Sequence, residues 1–229
     1  MPYRSSASAS SITTSLVCNK PAGVVSGDVL VAIIGYYLPT APITPPSGWT
    51  LGNSEANGNN AGIWYYKVAG GSEPSTYTWT FTGEDESHVV VSAYSGIDNT
   101  TPIDVQNKAN AGGEGGITVP SITMTGAGTL VYMAGSNSGY VISVPCTPPS
   151  GMTERADVKG ASYGAAYLAD QEIAAAGATG DKTMTATSGT NTGAYGAFLV
   201  GLKAASGGGG GGTAKARRIQ APEGARILR

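Results

Sequence analysis

Few side chains in this sequence are of a type that does chemistry, and they are scattered. The chain has one histidine, His88, shortly after the acidic run Glu84-Asp85-Glu86 and at the start of an apolar stretch. A zinc site needs further His or Cys ligands at close spacing, and none accompany it. A Ser-His-Asp triad through His88 lacks the Gly-x-Ser-x-Gly elbow, so His88 reads as a loop or surface histidine. Gly177-Ala178-Thr179-Gly180-Asp181-Lys182-Thr183 is close to a phosphate loop. That motif needs Gly directly before Lys, and Asp181 there would repel phosphate. Glycoside hydrolysis needs two carboxylates facing across a cleft, yet the acids are spread through turn-like segments. Asp98 and Asp104 offer oxygens to calcium, but without EF-hand spacing they read more simply as Asx-turn caps. Asn99-Thr100-Thr101 has the form of a glycosylation sequon. Cys18 and Cys146 read as two buried free thiols, with a disulfide joining them as the sharper alternative. The expectation is a protein that is not an enzyme and needs no cofactor.

An internal repeat organises the chain. Thr44-Pro45-Pro46-Ser47-Gly48-Trp49-Thr50 returns as Thr147-Pro148-Pro149-Ser150-Gly151-Met152-Thr153. An apolar run precedes each copy, Val29 to Ile34 and Leu130 to Ala134. After them come Ile63 to Val68 and Ala165 to Ala169, then Thr78-Trp79-Thr80-Phe81-Thr82 and Thr183-Met184-Thr185-Ala186-Thr187. Each copy closes on a further apolar run, Val89 to Tyr94 and Ala197 to Leu202. Side chains alternate between the faces of a strand, so Tyr77, Trp79 and Phe81 share an inward face and the intervening threonines point to water. Val29 to Ile34 is apolar without alternation, which predicts a strand covered on both faces. Residues 167–178, YLADQEIAAAGA, have helical propensity, but their place in the repeat is a strand end and a turn, which leaves at most one short helical turn.

The expected fold is all-β: a two-layer antiparallel β-sandwich, jelly-roll-like, made of two repeated halves that cover each other, plus a flexible C-terminal tail. The body spans residues 1–205, with halves at about 10–106 and 117–204. The Gly-rich stretch 107–116 reads as a crossover or a linker between them. Tyr36, Tyr37 and Tyr140 are candidate ligand-facing aromatics, since exposed rings stack on sugars or anchor partners. For Trp49, Trp64, Tyr65 and Tyr66, the simpler reading is that most fill the core.

Residues 206–212 are a serine and six glycines, a linker that cannot pack a core. Beyond it, 213–229 form a basic and apolar anchoring segment. Residues 1–212 carry 8 Lys/Arg against 14 Asp/Glu, a net of −6, and 213–229 carry 5 against 1, a net of +4. Arg217, Arg218, Arg226 and Arg229 suit carboxylates on a neighbour, while Ile219, Ile227 and Leu228 supply apolar surface. Only 12% of the chain is charged, about half the usual share, and the acidic body does not suit nucleic acid. The opening MPYRSSASASS lacks the apolar region of a signal peptide, and no run has the ~18 apolar residues of a membrane span.

The run Ile12-Thr13-Thr14-Ser15-Leu16-Val17-Cys18-Asn19-Lys20-Pro21-Ala22-Gly23-Val24-Val25-Ser26-Gly27-Asp28-Val29-Leu30-Val31-Ala32 resembles the opening of uncharacterised bacteriophage and prophage virion proteins. So do Thr44 to Trp49, Trp64 to Ala69 and Ala93 to Ile97. The likeness covers residues 5–203 and carries no catalytic residue. It implies a β-sandwich displayed on a virion, as a capsid decoration or a tail or baseplate appendage. The chain would be present in many copies or as a homo-oligomer and would contact other capsid or tail proteins. The competing class is a carbohydrate-binding or adhesion module for a host glycan.

Overall fold

The computed structural model describes residues 3–37, 43–57, 60–83, 86–112, 116–136, 146–159, 164–186 and 194–206. All regular structure among them is antiparallel β. The first half contains β1 (Tyr3–Ser11), β2 (Ser15–Asn19), β3 (Val29–Tyr37), β4 (Ile43–Thr44), β5 (Thr50–Asn57), β6 (Asn60–Val68), β7 (Thr76–Phe81) and β8 (Ser87–Tyr94). The second contains β9 (Ile103–Gly112), β10 (Gly116–Val119), β11 (Thr123–Met124), β12 (Gly128–Ser136), β13 (Cys146–Thr147), β14 (Thr153–Lys159), β15 (Ala165–Ile173), β16 (Gly177–Ala178), β17 (Lys182–Ala186) and β18 (Ala194–Lys203).

The repeat in sequence is a repeat in topology. One five-stranded sheet has the order β1-β8-β3-β6-β5, and its counterpart the order β9-β18-β12-β15-β14. Each half adds a three-stranded sheet, β2-β7-β4 or β10-β17-β13. Among the described residues, only the small β11-β16 pair has no equivalent. The order 1-8-3-6 opposite 2-7-4 is a jelly-roll winding, with the fifth strand carried over to the larger sheet.

Three cores follow from this arrangement. Leu16, Leu30, Tyr65, Tyr77, Trp79 and Val91 lie between the two sheets of the first half. Ile117, Leu130, Tyr132, Tyr167, Met184 and Leu199 lie between those of the second. The third core joins the halves, with Val31, Ile33, Trp64 and Val90 facing Met133, Leu168, Phe198 and Val200. The five-stranded sheets therefore cover one another, as expected from their apolar runs. The layer count differs from expectation. Each half closes its own sandwich, so the order through the molecule is three-, five-, five- and three-stranded sheets. The physical reason is visible in β3, buried at every position from Val29 to Tyr36. Its odd residues face the seam and its even residues face the inner core. A sheet apolar on both faces needs two covers.

One sequence expectation changes and one holds. Residues 107–112 are neither linker nor crossover. They belong to β9, the edge strand that pairs with β18 from Ile103↔Leu202 to Gly112↔Ala194. The first repeat accordingly begins at Tyr3 with β1, and the second at Ile103 with β9. Residues 165–173 form β15, paired with β12 along its whole length, so helical propensity loses to strand pairing there.

The two larger sheets approach most closely where glycines meet. A Cβ placed on Gly62 would stand 2.6 Å from the Gly196 carbonyl oxygen, and one on Gly35 2.6 Å from backbone atoms of Ser136 and Ala165. Gly135 and Gly196 are equally tight, against Ile34 and Glu55. Glycine within a strand marks such backbone contact.

Candidate functional site

Strand register sorts the chain into two opposite ends. At the first end lie Tyr3, Tyr94, Val29 and Val68 in one row, with Gly128, Lys203 and Ile173 in the other half. Its turns are tightly specified. Both Pro-Pro-Ser-Gly turns close through a hydrogen bond, Trp49 N–H to Pro46 O at 3.3 Å and Met152 N–H to Pro149 O at 2.9 Å. Gly48 and Gly151 supply the positive φ they need, 83° and 79°. Trp49 and Met152 then drop into the inner cores, where Trp49 meets Tyr77 edge-on at 5.1 Å. The last described residues lie at this end. Ile97 and Ala204 form a bridge, the Asp98 amide donates to the Lys203 carbonyl at 2.8 Å, and the Ala205 amide donates to the Gly96 carbonyl at 3.0 Å.

At the other end, Gly35, Gly62, Gly135 and Gly196 bring the two halves together. The strand termini flanking 38–42, 58–59, 84–85, 113–115, 137–145, 160–163 and 187–193 all lie at this end. The body thus has one end that carries its last described residues and an opposite end formed by strand termini of both halves.

Buried polar groups tie the body together. Beside the seam, Arg155 of β14 holds Asp170 of the neighbouring strand β15 through Nε at 2.9 Å and Nη2 at 2.8 Å. The Arg155 guanidinium also lies over the Tyr3 ring at 4.3 Å, and Tyr3 stands edge-on to Tyr94 at 6.0 Å. Burial, then the Asp170 charge, pushes the Tyr94 hydroxyl far above its usual range. The cluster therefore joins β1 and β8 of one half to β14 and β15 of the other. The matching strands at the opposite edge use a different set. There Lys108 pairs with Glu55 at 2.7 Å and donates to the Ser54 carbonyl, while Asn110 donates to Glu55. Two further ion pairs secure turns: Arg4 with Asp28 at 2.6 Å, and Lys67 with Glu73 at 2.9 Å.

The residues singled out by chemistry have structural partners. His88 is fully buried on β8 beside Gly35 of β3, not on a surface or loop. Asp98 accepts from the amides of Thr100 and Thr101 at 2.8 and 3.1 Å, an Asx-type cap that holds its pKa low. Asp104 accepts from the Thr125 amide at 2.7 Å and from its hydroxyl. Lys182 begins β17 with no helix after it, and donates to Ser150 O and Gln171 Oε1 at 3.2 and 3.0 Å. Burial lowers its pKa. Asp181 accepts from the Ser121 amide at 2.9 Å. Among the described residues, no group of three or more His, Cys, Asp or Glu is arranged around a metal position. Among the described residues, no helix is long and apolar enough to cross a membrane.

Cys18 and Cys146 are free and sit in different inner cores, which rules out the disulfide. Burial raises both thiols to about 12.

The aromatic candidates need one correction. Tyr36 is 5% exposed and its ring packs against Phe81 at 6.0 Å, so it offers no face to a ligand. Alternation along β3 turns it into the first half's core. Trp49, Trp64 and Tyr65 are likewise buried, and Tyr66 is partly so. The Tyr37 side chain and Tyr140 lie outside the described residues, as do Arg217, Arg218, Ile219, Arg226, Ile227, Leu228 and Arg229.

The seam cluster and the glycine contact escaped sequence reasoning. The glycines carried a readable signal, because each interrupts an apolar strand. Arg155 and Asp170 carried none, being charges in strands of ordinary composition. No family model matches the chain, and no curated protein or solved structure matches it.

Proposed function

We infer that this chain is a bacteriophage virion structural protein, displayed on the particle as a capsid decoration or a tail or baseplate appendage. Its C-terminal segment attaches it to the particle. The observation that carries this reading is the polarity of the body. The described body ends at Ser206 at one end, and strand termini of both halves gather at the other. A glycine linker followed by a basic, partly apolar segment after Ser206 would hold that end toward the particle and present the opposite end outward. Four arginines match carboxylates on a capsid or tail protein, and attachment through many copies raises the effective affinity of a short segment. The sequence resemblance over residues 5–203 supports the same class.

Deletion of residues 207–229 tests this directly. The shortened body is expected to keep its melting temperature and to be lost from assembled particles. Full occupancy of particles by the truncated protein would refute anchoring by this segment.

A further inference from the structure

The two five-stranded sheets have four edges, and one of them is unguarded. Edge strands in stable monomers are usually protected by charges or bulges. β5 carries Glu55 and a bulge between Leu51 and Asn53. β14 carries Glu154, Arg155, Asp157 and Lys159, with a bulge between Glu154 and Ala156. β9 carries Asp104 and Lys108. From Ser5 to Ser11, β1 has neither a charge nor a bulge, and its register with β8 runs unbroken from Ser5↔Ala93 to Ser11↔Ser87. β8 occupies one side of β1, and among the described residues no strand pairs with the other.

We propose that β1 is a homodimer interface, at which the β1 edges of two copies join antiparallel about Ser8. Three observations name a second copy as the occupant. First, residues 5–11 read Ser-Ser-Ala-Ser-Ala-Ser-Ser, the same in both directions. An antiparallel pairing centred on Ser8 therefore sets Ser5 against Ser11, Ser6 against Ser10 and Ala7 against Ala9, with every position matched in size. A two-fold interface requires such self-complementarity. Second, the same register involves no opposed like charges, because Arg4, the nearest charge, comes level with Ile12 of the other copy. Third, an exposed apolar side chain lies near each end of this edge: Ile12, directly after β1, and Val25. Val25 sits at the Arg4 corner, because its amide and Arg4 both bind Asp28 Oδ2. The pairing thus brings Ile12 of each copy toward Val25 of the other. Main-chain hydrogen bonds supply the affinity in such strand addition. One strand pair is at the small end of specific interfaces, so association depends on concentration and is favoured where copies are crowded.

The test uses the full chain in sedimentation velocity over a concentration series. Wild type is expected to shift from monomer to dimer as concentration rises. Ser8 is exposed, so Ser8→Lys and Ser8→Glu are expected to fold with unchanged melting temperature. Each alone stays monomeric, because the two-fold places like charges directly opposite. An equimolar mixture of the two regains the dimer. As an independent readout, Ser8→Cys is expected to form an intermolecular disulfide much faster than Val17→Cys. A wild type that stays monomeric throughout, a dimer that survives both charged variants, or a mixture that fails to regain it would overturn the proposal.

Discussion

Phe198 offers a test of whether the seam makes the two halves one cooperative unit. It belongs to β18 of the second half, is fully buried, and packs in the core between the five-stranded sheets. Truncation to alanine removes roughly 100 Å² of buried apolar surface, about 2.5 kcal/mol at about 25 cal/mol per Å². The cavity cannot collapse easily, because both sheets are held by strands and glycine contacts on either side. The expected total is about 3–5 kcal/mol. All three tryptophans, Trp49, Trp64 and Trp79, lie in the first half, and Trp49 and Trp79 are in its inner core, away from the seam. Tryptophan fluorescence therefore reports the half that was not mutated, while far-UV circular dichroism reports both. With a guanidinium slope of about 5 kcal/mol per molar for a body of this size, Phe198→Ala should lower the midpoint by about 0.8 M. Both signals should move together. A fluorescence transition that stays in place while the dichroism transition splits would show independent halves and refute the reasoning.

Gly62→Ala should be destabilising by about 1–3 kcal/mol, because its Cβ would meet the Gly196 carbonyl oxygen at 2.6 Å and neither backbone can yield. Gly71→Ala, where nothing lies within 4 Å, is the control, and a thermal melt compares them. Cys18 and Cys146, raised to about 12, should resist a thiol reagent at pH 8 in the native protein and react on unfolding; rapid native labelling would contradict their placement. Glu73 combines burial, which raises its pKa, with hydrogen bonds from Gly70, Lys67 and Tyr77 that outweigh it and leave the pKa lowered. Its contribution to stability is therefore present above the ordinary carboxylate pKa and lost as pH falls through the lowered one. Glu73→Gln should reduce stability at neutral pH and flatten the loss on the acid side, as measured by denaturant midpoints from pH 7 to pH 3.

The alternation in Thr76 to Phe81, the unbroken apolar run from Val29, and the recurring Pro-Pro-Ser-Gly turn determined by themselves that this chain is all-β, doubled, and covered on both sides of its central strands. These are local patterns, set by the two-residue period of a strand and by the φ a turn requires. The same logic correctly withheld a helix from residues 167–178. Partners distant in the chain were decided only by tertiary structure. Serine- and alanine-rich β1 has no apolar face to announce it, and it becomes a strand because β8 offers an open edge. Residues 107–112 look like a linker and become β9 for the same reason, along β18. Tyr36 could have faced either way until the start of β3 fixed its phase. Arg155 meets Asp170 and Tyr3 because two sheets, each apolar on its outer face as well as its inner one, had no other surface against which to exclude water.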